Sequence, residues 1–459
     1  MVIDLGTDWE PREPESPPRG PARRRPRSTA VLLVCLLLVS TLAGAAPTAS
    51  AWRLATSIPM APADGYLLST GRLFVTRQGT ANHTRIEAYS LPDGRRLWQT
   101  ALSVRADLIP NPTPPGVVLA QLGTASDTDR LAALDAATGR VLWQLAGAAP
   151  LDPSPPGAAR VLLSVGLAAG TSELRLVDAR TGATVWARTL TAGTVATVVG
   201  AGRLALRSLG GTAEVIDERT GATLVTGRLD TDPASTGVPL PVGFTTGLYA
   251  IDGQLLATYT SRGATRVTAY DLSTLDRRWH LDVDDLVLSL SPCGALLCVI
   301  GERGTTAVDP ARGAIRWTAP HWTMVGTQPG ALVAKDLPEV RDRFALLDPA
   351  TGRTQLDLRD WDPIQPTAPD ESMVLTTNRR GPPGLWIGAL RSDGTGVQPE
   401  AFLPDAIADG CATDRPGAEG VAGGADPPGN PARPRSTVYL ACITYDGPVD
   451  VWVDRRSPQ

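Results

Sequence analysis

The stretch Ala133-Leu134-Asp135-Ala136-Ala137-Thr138-Gly139-Arg140-Val141-Leu142-Trp143 recurs in degenerate form along the chain. An apolar strand leads into the turn Asp-x-x-Thr-Gly, and a second strand carries Trp eight residues after the Asp. The Asp accepts hydrogen bonds from backbone N–H groups of its own turn, and the Gly supplies a left-handed residue that short hairpin loops often need. The Trp adds a large apolar face and one N–H donor, which suits it to docking against a neighbouring sheet. The stretch is therefore predicted to be a β-hairpin that packs on another.

Further copies of this motif follow at regular intervals. They begin at Ser90 (Asp93, Gly94, Trp98), Asp178 (Thr181, Gly182, Trp186), Asp217 (Thr220, Gly221, Val225), Asp271 (Thr274, Trp279), Asp309 (Gly313, Trp317) and Asp348 (Thr351, Gly352, Leu356), with a faint copy at Leu390 (Asp393, Gly394). Five of the eleven Trp residues share one offset. The seven clear starts are 43 residues apart on average, which is the size of one four-stranded propeller blade.

The length of the chain predicts the number of blades. Residues 52–453 are assigned to the propeller, with a Pro/Gly-rich disordered loop at 404–436. Without that loop and the extra residues after Asp217, about 358 residues remain, or 8.3 periods of 43. We therefore predict an all-β, eight-bladed (alternatively seven-bladed) propeller of four-stranded blades, preceded by one transmembrane helix. The N- and C-terminal strands are expected to share the closing blade, with residues 439–453 beside the segment near Leu67.

The motif resembles, position for position, the tryptophan-docking motif of pyrroloquinoline-quinone (PQQ)-type propeller repeats, Ala-x-Asp-x-x-Thr-Gly-x-x-x-Trp. The resemblance covers about residues 65–400. It implies that the Trp of one blade packs on a peptide plane of the next, a role carried here by Trp98, Trp143, Trp186, Trp279 and Trp317. Val225 and Leu356 stand where that role requires Trp. The turn caps are assigned to Asp135, Asp178, Asp217, Asp271, Asp309 and Asp348.

Quinoprotein alcohol dehydrogenases share this repeat, hold PQQ over a calcium ion and carry a disulfide between adjacent cysteines. This sequence has no Cys-Cys dipeptide, and no calcium-type cluster of Glu, Asn and Asp stands out. Asp282, Asp284 and Asp285 lie close together, a pattern that favours a solvated loop over a metal site. We therefore predict no catalytic residue, no cofactor and no metal. Smaller members of the superfamily look like the propeller lipoprotein that scaffolds outer-membrane protein insertion, which catalyses nothing.

The N-terminal region predicts export. Residues 1–28 are rich in Pro, Arg and acids, which indicates a disordered cytoplasmic tail. Basic residues then precede an uncharged run, so the positive-inside rule places the rest of the chain outside the membrane. The run at 29–46 is just long enough for a single-pass transmembrane anchor. The alternative is a signal peptide cleaved after Ala51 and a secreted propeller.

Four cysteines follow the leader, namely Cys293, Cys298, Cys411 and Cys442. Four cysteines allow three pairings. Cys293 and Cys298 are expected to face each other across a tight hairpin, and Cys411 and Cys442 to close the Pro/Gly-rich loop. Neither pair has the spacing of a zinc site.

The composition narrows the classes of function. Net charge is −4, with 20% charged and 42% apolar residues, which does not fit a nucleic-acid binder. The chain has 46 glycines and 41 prolines among 459 residues, which is more turn-forming residues than a helical protein carries. The leading hypothesis is a membrane-anchored, non-enzymatic propeller that binds a protein or envelope component through its loop faces. The alternatives are a quinoprotein-like oxidoreductase using PQQ and a sensor that signals through its cytoplasmic tail.

Overall fold

The computed structural model describes residues 52–79, 83–109, 116–123, 130–151, 159–167, 171–200, 202–208, 210–229, 247–251, 253–261, 263–328, 330–336, 343–364, 373–377, 384–391, 396–414 and 437–454. The described residues between 52 and 454 belong to one compact unit. The predicted tail at 1–28, the predicted transmembrane helix at 29–46 and the cleavage site after Ala51 lie outside the described residues. Within the described ranges, no helix has the length and hydropathy needed to cross a membrane.

The described residues form 36 strands in nine four-stranded antiparallel sheets, each of which is one propeller blade. Blade 1 contains β2 (Gly65–Ser69), β3 (Arg72–Gln78), β4 (Thr84–Ser90) and β5 (Arg96–Leu102). Blade 2 contains β6 (Ala106–Leu108), β7 (Val117–Leu122), β8 (Arg130–Asp135) and β9 (Val141–Ala146). Blade 3 contains β10 (Ala148–Pro150), β11 (Arg160–Gly166), β12 (Ser172–Asp178) and β13 (Thr184–Leu190).

The next three blades continue in the same order. Blade 4 contains β14 (Val195–Gly200), β15 (Arg203–Arg207), β16 (Thr212–Asp217) and β17 (Thr223–Arg228). Blade 5 contains β18 (Leu248–Ile251), β19 (Gln254–Ser261), β20 (Ala264–Asp271) and β21 (Arg277–Val283). Blade 6 contains β22 (Val287–Cys293), β23 (Leu296–Gly301), β24 (Gly304–Val308) and β25 (Ile315–Pro320).

The last three blades include the closing one. Blade 7 contains β26 (Trp322–Gln328), β27 (Ala331–Asp336), β28 (Phe344–Leu347) and β29 (Thr354–Arg359). Blade 8 contains β30 (Asp362–Ile364), β31 (Val374–Thr377), β32 (Gly384–Leu390) and β33 (Val397–Pro404). Blade 9 contains β34 (Ala406–Asp414), β35 (Tyr439–Thr444), β36 (Val449–Asp454) and, from the other end of the chain, β1 (Trp52–Ile58).

The prediction of eight or seven blades is wrong, because the described strands build nine. Each of the eight motif copies marks the turn between the third and fourth strands of one blade, from Ser90 in blade 1 to Leu390 in blade 8. In blade 9 those two strands are β36 and β1, the last and the first described strands, which pair as Trp52↔Asp454 through Ile58↔Val449. No turn joins them, so this blade has no motif to detect. The prediction that the terminal strands share one blade is confirmed.

Two details of the predicted closing region also need correction. The segment near Leu67 is the first strand of blade 1 and does not pair with residues 439–453, whose partners in blade 9 are β34 and β1. The predicted disordered loop at 404–436 begins too early, because residues 406–414 form β34 and pair with β35. Residues 415–436 lie outside the described residues.

Successive turns alternate between the two faces of the propeller, because the strands of each blade are antiparallel. One face carries the motif turns and the turns between first and second strands, and we call it the motif face. The other face carries the turns between second and third strands and the links between blades, and we call it the connection face. Apolar side chains of neighbouring blades fill the spaces between the sheets, as in the cluster of Ile86, Trp98, Leu122 and Leu134 between blades 1 and 2.

A buried ion cluster lies where blade 9 meets blade 1. The side chain of Glu87 is only 3% exposed, and its Oε2 lies 3.0 Å from Arg77 Nε. Tyr89 Oη donates to the same oxygen at 2.6 Å, and Arg77 Nη1 lies 3.0 Å from Asp64 Oδ2. Burial raises the pKa of Glu87, but the hydrogen bonds from Tyr89 and Arg77 outweigh it and leave the pKa below its usual value. Because Asp64 precedes β2 on the link from β1, the cluster ties this link to the body of blade 1.

Candidate functional site

The motif turns are built by the side chain of their first residue. Asp135 Oδ1 accepts hydrogen bonds from Ala137 N at 3.0 Å, from Thr138 N at 3.0 Å and from Thr138 Oγ1 at 3.1 Å. Burial raises the pKa of Asp135, but these hydrogen bonds outweigh it and lower the pKa. Oδ1 of the other predicted caps also accepts from a backbone N two or three residues further on, at Asp178, Asp217, Asp271, Asp309 and Asp348.

The five motif Trp residues lie between neighbouring blades. Trp98 Nε1 donates to Ala136 O of the next blade at 2.9 Å. The same contact recurs from Trp143 to Ala179 O, from Trp186 to Glu218 O, from Trp279 to Pro310 O and from Trp317 to Pro349 O, at 2.7–3.0 Å. In each case the acceptor is the residue directly after the first residue of the next turn.

The glycine of the next turn leaves room for the Trp ring, because it has no side chain. Gly139 has φ +71°, and a Cβ added to it would lie 2.3 Å from Trp98 Cε3. Only glycine combines this left-handed backbone with so close an approach. The equivalent glycines stand under the other four rings, at Gly182, Gly221, Gly313 and Gly352. Asp, Gly and Trp of the motif are thus occupied in building and joining blades.

Blades 4 and 5 join by a different set of side chains. Val225 stands in place of the Trp, and Leu275 stands in place of the glycine with φ 61°. Leu275 is 5% exposed and packs in one cluster with Val225 and Tyr270. A Cβ on Gly227 would lie 2.8 Å from Leu275 Cβ, so that glycine also makes room. The leucine therefore fills the space that a Trp ring fills at the five Trp junctions. The two departures from the motif lie in adjacent copies, a signal that sequence comparison of the copies could have used.

A cleft of about 190 Å³ opens on the connection face between blades 5 and 6. Its apolar wall contains Val283, Val287 and Val299, and its polar wall contains Thr306 and Thr318. The two threonines face each other across β24 and β25. No motif residue lines this cleft, which is why the repeat pattern did not indicate it.

Charged groups surround the mouth of the cleft. The side chain of Asp284 is 96% exposed, whereas Asp285 accepts from Leu286 N at 2.8 Å and from Arg303 N at 2.9 Å. Arg303 Nη1 donates to Asp284 O at 3.1 Å. Asp282 points elsewhere and pairs with Arg266 at 2.7 and 3.1 Å. The structure thus places Asp282 apart from the other two acids, whereas Asp284 and Asp285 both lie at the cleft beside Arg303, and the carboxylate of Asp284 is open to solvent.

The described residues do not assemble the donors of a quinoprotein centre. They contain no group of three or more His, Cys, Asp and Glu side chains placed to hold a metal ion. The disulfides join Cys293 to Cys298 and Cys411 to Cys442, which are 5 and 31 residues apart rather than adjacent. These residues therefore do not fit PQQ held over calcium.

Comparison with known proteins places the repeat in a family. The family model described as outer membrane protein assembly factor BamB matches residues 82–167 and 170–328, just over half of the chain. Comparison with curated protein sequences gave no significant match.

Several solved structures are similar in fold. BamB from Moraxella catarrhalis is 15% identical with a TM-score of 0.42, over 89% of this chain and 99% of that chain. The computationally designed Ika8 protein is 15% identical with a TM-score of 0.43, over 76% and 96%. Quinohemoprotein alcohol dehydrogenase ADHIIG from Pseudomonas putida HK5 is 12% identical with a TM-score of 0.35, over 65% and 72%. At these values the structural likenesses carry no argument about function.

Proposed function

Because this chain belongs to the family described as outer membrane protein assembly factor BamB, we propose that it is an exported, non-enzymatic propeller that binds an extended protein segment of the cell envelope. The proposed binding site is the cleft between blades 5 and 6 on the connection face. Family membership supports the scaffold role. The volume and lining of the cleft support this location of the binding site.

The size and lining of the cleft are the observations that carry this proposal. About 190 Å³ is less than the roughly 300–1,000 Å³ of a typical small-molecule pocket, so the cleft suits one inserted side chain. Val283, Val287 and Val299 offer apolar contact, and the hydroxyl groups of Thr306 and Thr318 offer donors and acceptors. An extended segment that inserts one side chain while its backbone meets these threonines fits this lining.

Filling the cleft is expected to abolish binding. In Thr318→Trp the indole would occupy the space beside Thr306, because Thr318 is exposed and lines the cleft. Full-length protein carrying this change, immobilised and exposed to detergent-solubilised envelope proteins, is expected to lose specific crosslinks to envelope protein at least tenfold.

Thr226→Trp is the matched control. Thr226 is exposed at the same position of the fourth strand in blade 4, as Thr318 is in blade 6. This variant should retain the crosslinks of the parent. Equal capture by both variants would rule out the cleft as the site. Dye reduction by the parent protein supplied with PQQ and Ca²⁺ would contradict the non-enzymatic part of the proposal.

Export is proposed from the leader together with the disulfides. Disulfides persist mainly in oxidising compartments outside the cytoplasm, and two pairs join residues of this propeller. An alkaline phosphatase fused after residue 459 is expected to be active, since that enzyme needs an oxidising compartment, and deletion of residues 29–46 should remove the activity. The mass of the mature chain then distinguishes an uncleaved leader from one cleaved after Ala51. An inactive fusion with an accumulated full-length product would contradict export.

A further inference from the structure

The disulfide Cys411–Cys442 holds the first strand of the closing blade. It joins β34 to β35 at residues that lie directly opposite each other, with 4.0 Å between their Cα atoms. Between Ala406 and Cys411 the pairing with β35 is interrupted, because five residue steps of β34 span only two of β35. Regular pairing resumes only from Cys411 to Asp414. The disulfide therefore lies where the ladder of this strand begins again.

The same strand also joins blade 9 to blade 1. Tyr66 Oη of β2 lies 2.7 Å from Gly410 O and 3.0 Å from Ala441 O. At the end of β2, Gly71 N donates to Asp414 Oδ2 at 2.9 Å. All these acceptors lie on the two strands that the disulfide joins. Release of β34 would therefore loosen the contacts that close the ring.

The two disulfides differ in exposure and in what they restrain. Cys293 and Cys298 are both fully buried and bracket a short hairpin turn of blade 6. Cys442 is fully buried, but Cys411 is partly exposed. A thiolate attacks a disulfide only at a sulfur that it can reach. Cys411 is thus the only one of the four disulfide-bonded cysteines that is not fully buried.

We propose that Cys411–Cys442 is a redox latch by which a dithiol reductant opens the junction between blades 9 and 1. One thiolate of the reductant attacks Cys411 Sγ, the bond between the sulfurs breaks, and Cys442 leaves as a thiolate that takes up a proton. The second thiol of the reductant then attacks the mixed disulfide and releases Cys411 as a thiol. The reductant ends as a disulfide, so two electrons and two protons have moved to the protein.

Dithiothreitol added to folded, full-length protein tests the latch without requiring a variant to fold. Alkylation and mass spectrometry are expected to find Cys411 and Cys442 reduced at a dithiol concentration that leaves Cys293–Cys298 intact. Hydrogen exchange is expected to become about 100-fold faster or more in residues 406–414 and 65–72, because a crosslink closing a loop of this length restrains the chain by that order. Exchange in blades 3–6 should stay unchanged.

Matched variants separate the latch from general loss of stability. Cys293→Ser with Cys298→Ser should keep the full response to dithiothreitol, whereas Cys411→Ser with Cys442→Ser should show fast exchange before any reductant is added. Reduction of Cys293–Cys298 first, or unchanged exchange at 65–72 after Cys411–Cys442 is reduced, would overturn the proposal. Neither readout depends on binding at the cleft, so the latch can fail independently of the proposed function.

Discussion

Replacement of Trp98 with Ala is expected to lower the free energy of unfolding by about 3–5 kcal/mol, the usual cost of removing a large aromatic side chain from a packed interior. The Trp98 side chain is 9% exposed and lies in the cluster between blades 1 and 2, with its ring 6.0 Å from that of Phe74. Removal leaves the space above Gly139 empty, because the glycine has no side chain to fill it. Urea unfolding followed by circular dichroism measures the change.

Trp98→Phe is the control for this prediction. The phenyl ring keeps most of the apolar contact but loses the N–H donor and part of the ring. Ala136 O retains a second donor, Arg72 Nη1 at 2.6 Å, so the carbonyl is not left unpaired. We therefore expect a loss of about 1–2 kcal/mol, from one hydrogen bond and the smaller ring. A similar loss for Ala and Phe would show that packing between the blades does not depend on the ring.

The second large effect is expected at the junction of blades 4 and 5. There the effect of a substitution at Val225 should depend on which residue stands at 275, and the reverse. Val225→Trp alone forces a large ring against Leu275 and is expected to cost about 1–3 kcal/mol through overpacking. Leu275→Gly alone empties a buried site at a cost of about 2–5 kcal/mol. Relief of the left-handed backbone of Leu275 offsets about 1–2 kcal/mol of that cost.

The double variant is expected to recover most of this loss. A Trp at 225 over a glycine at 275 recreates the arrangement of Trp98 and Gly139, with Leu272 O in the position of the Ala136 carbonyl. A double-mutant cycle should therefore give a coupling energy of about 3 kcal/mol, at the upper end for residues in contact. The change in urea midpoint of the four proteins measures it, and Thr226→Trp in place of Val225→Trp controls for an added indole on the same strand. Additive losses would show that the two positions act independently.

The motif residues were readable from the sequence because their interactions are largely local. Asp135 caps its own turn by accepting hydrogen bonds from the backbone N–H groups two and three residues further on. Gly139 adopts the left-handed backbone conformation that the same turn requires. The partner of Trp98 is 38 residues away, but it follows from the repeat because the next copy of the motif supplies the turn on which the ring docks. The disulfide partners were expected for a similar reason, since each pair closes one hairpin or one loop.

The sequence by itself determined the kind of blade and the means by which five of the blades join the next, because capping and turn formation repeat along one short pattern and five of its copies also carry the docking Trp. Only the tertiary structure decided that the described strands form nine blades, since the closing blade is assembled from β1 and the last three strands and has no turn between its third and fourth strands to carry the pattern. It also decided that Leu275, at the position of the motif glycine, fills the space that the small side chain of Val225, at the position of the motif Trp, leaves. The presence of the cleft beside Thr318 also depends on the tertiary structure, because its walls come from strands of two blades and its shape depends on how those blades pack.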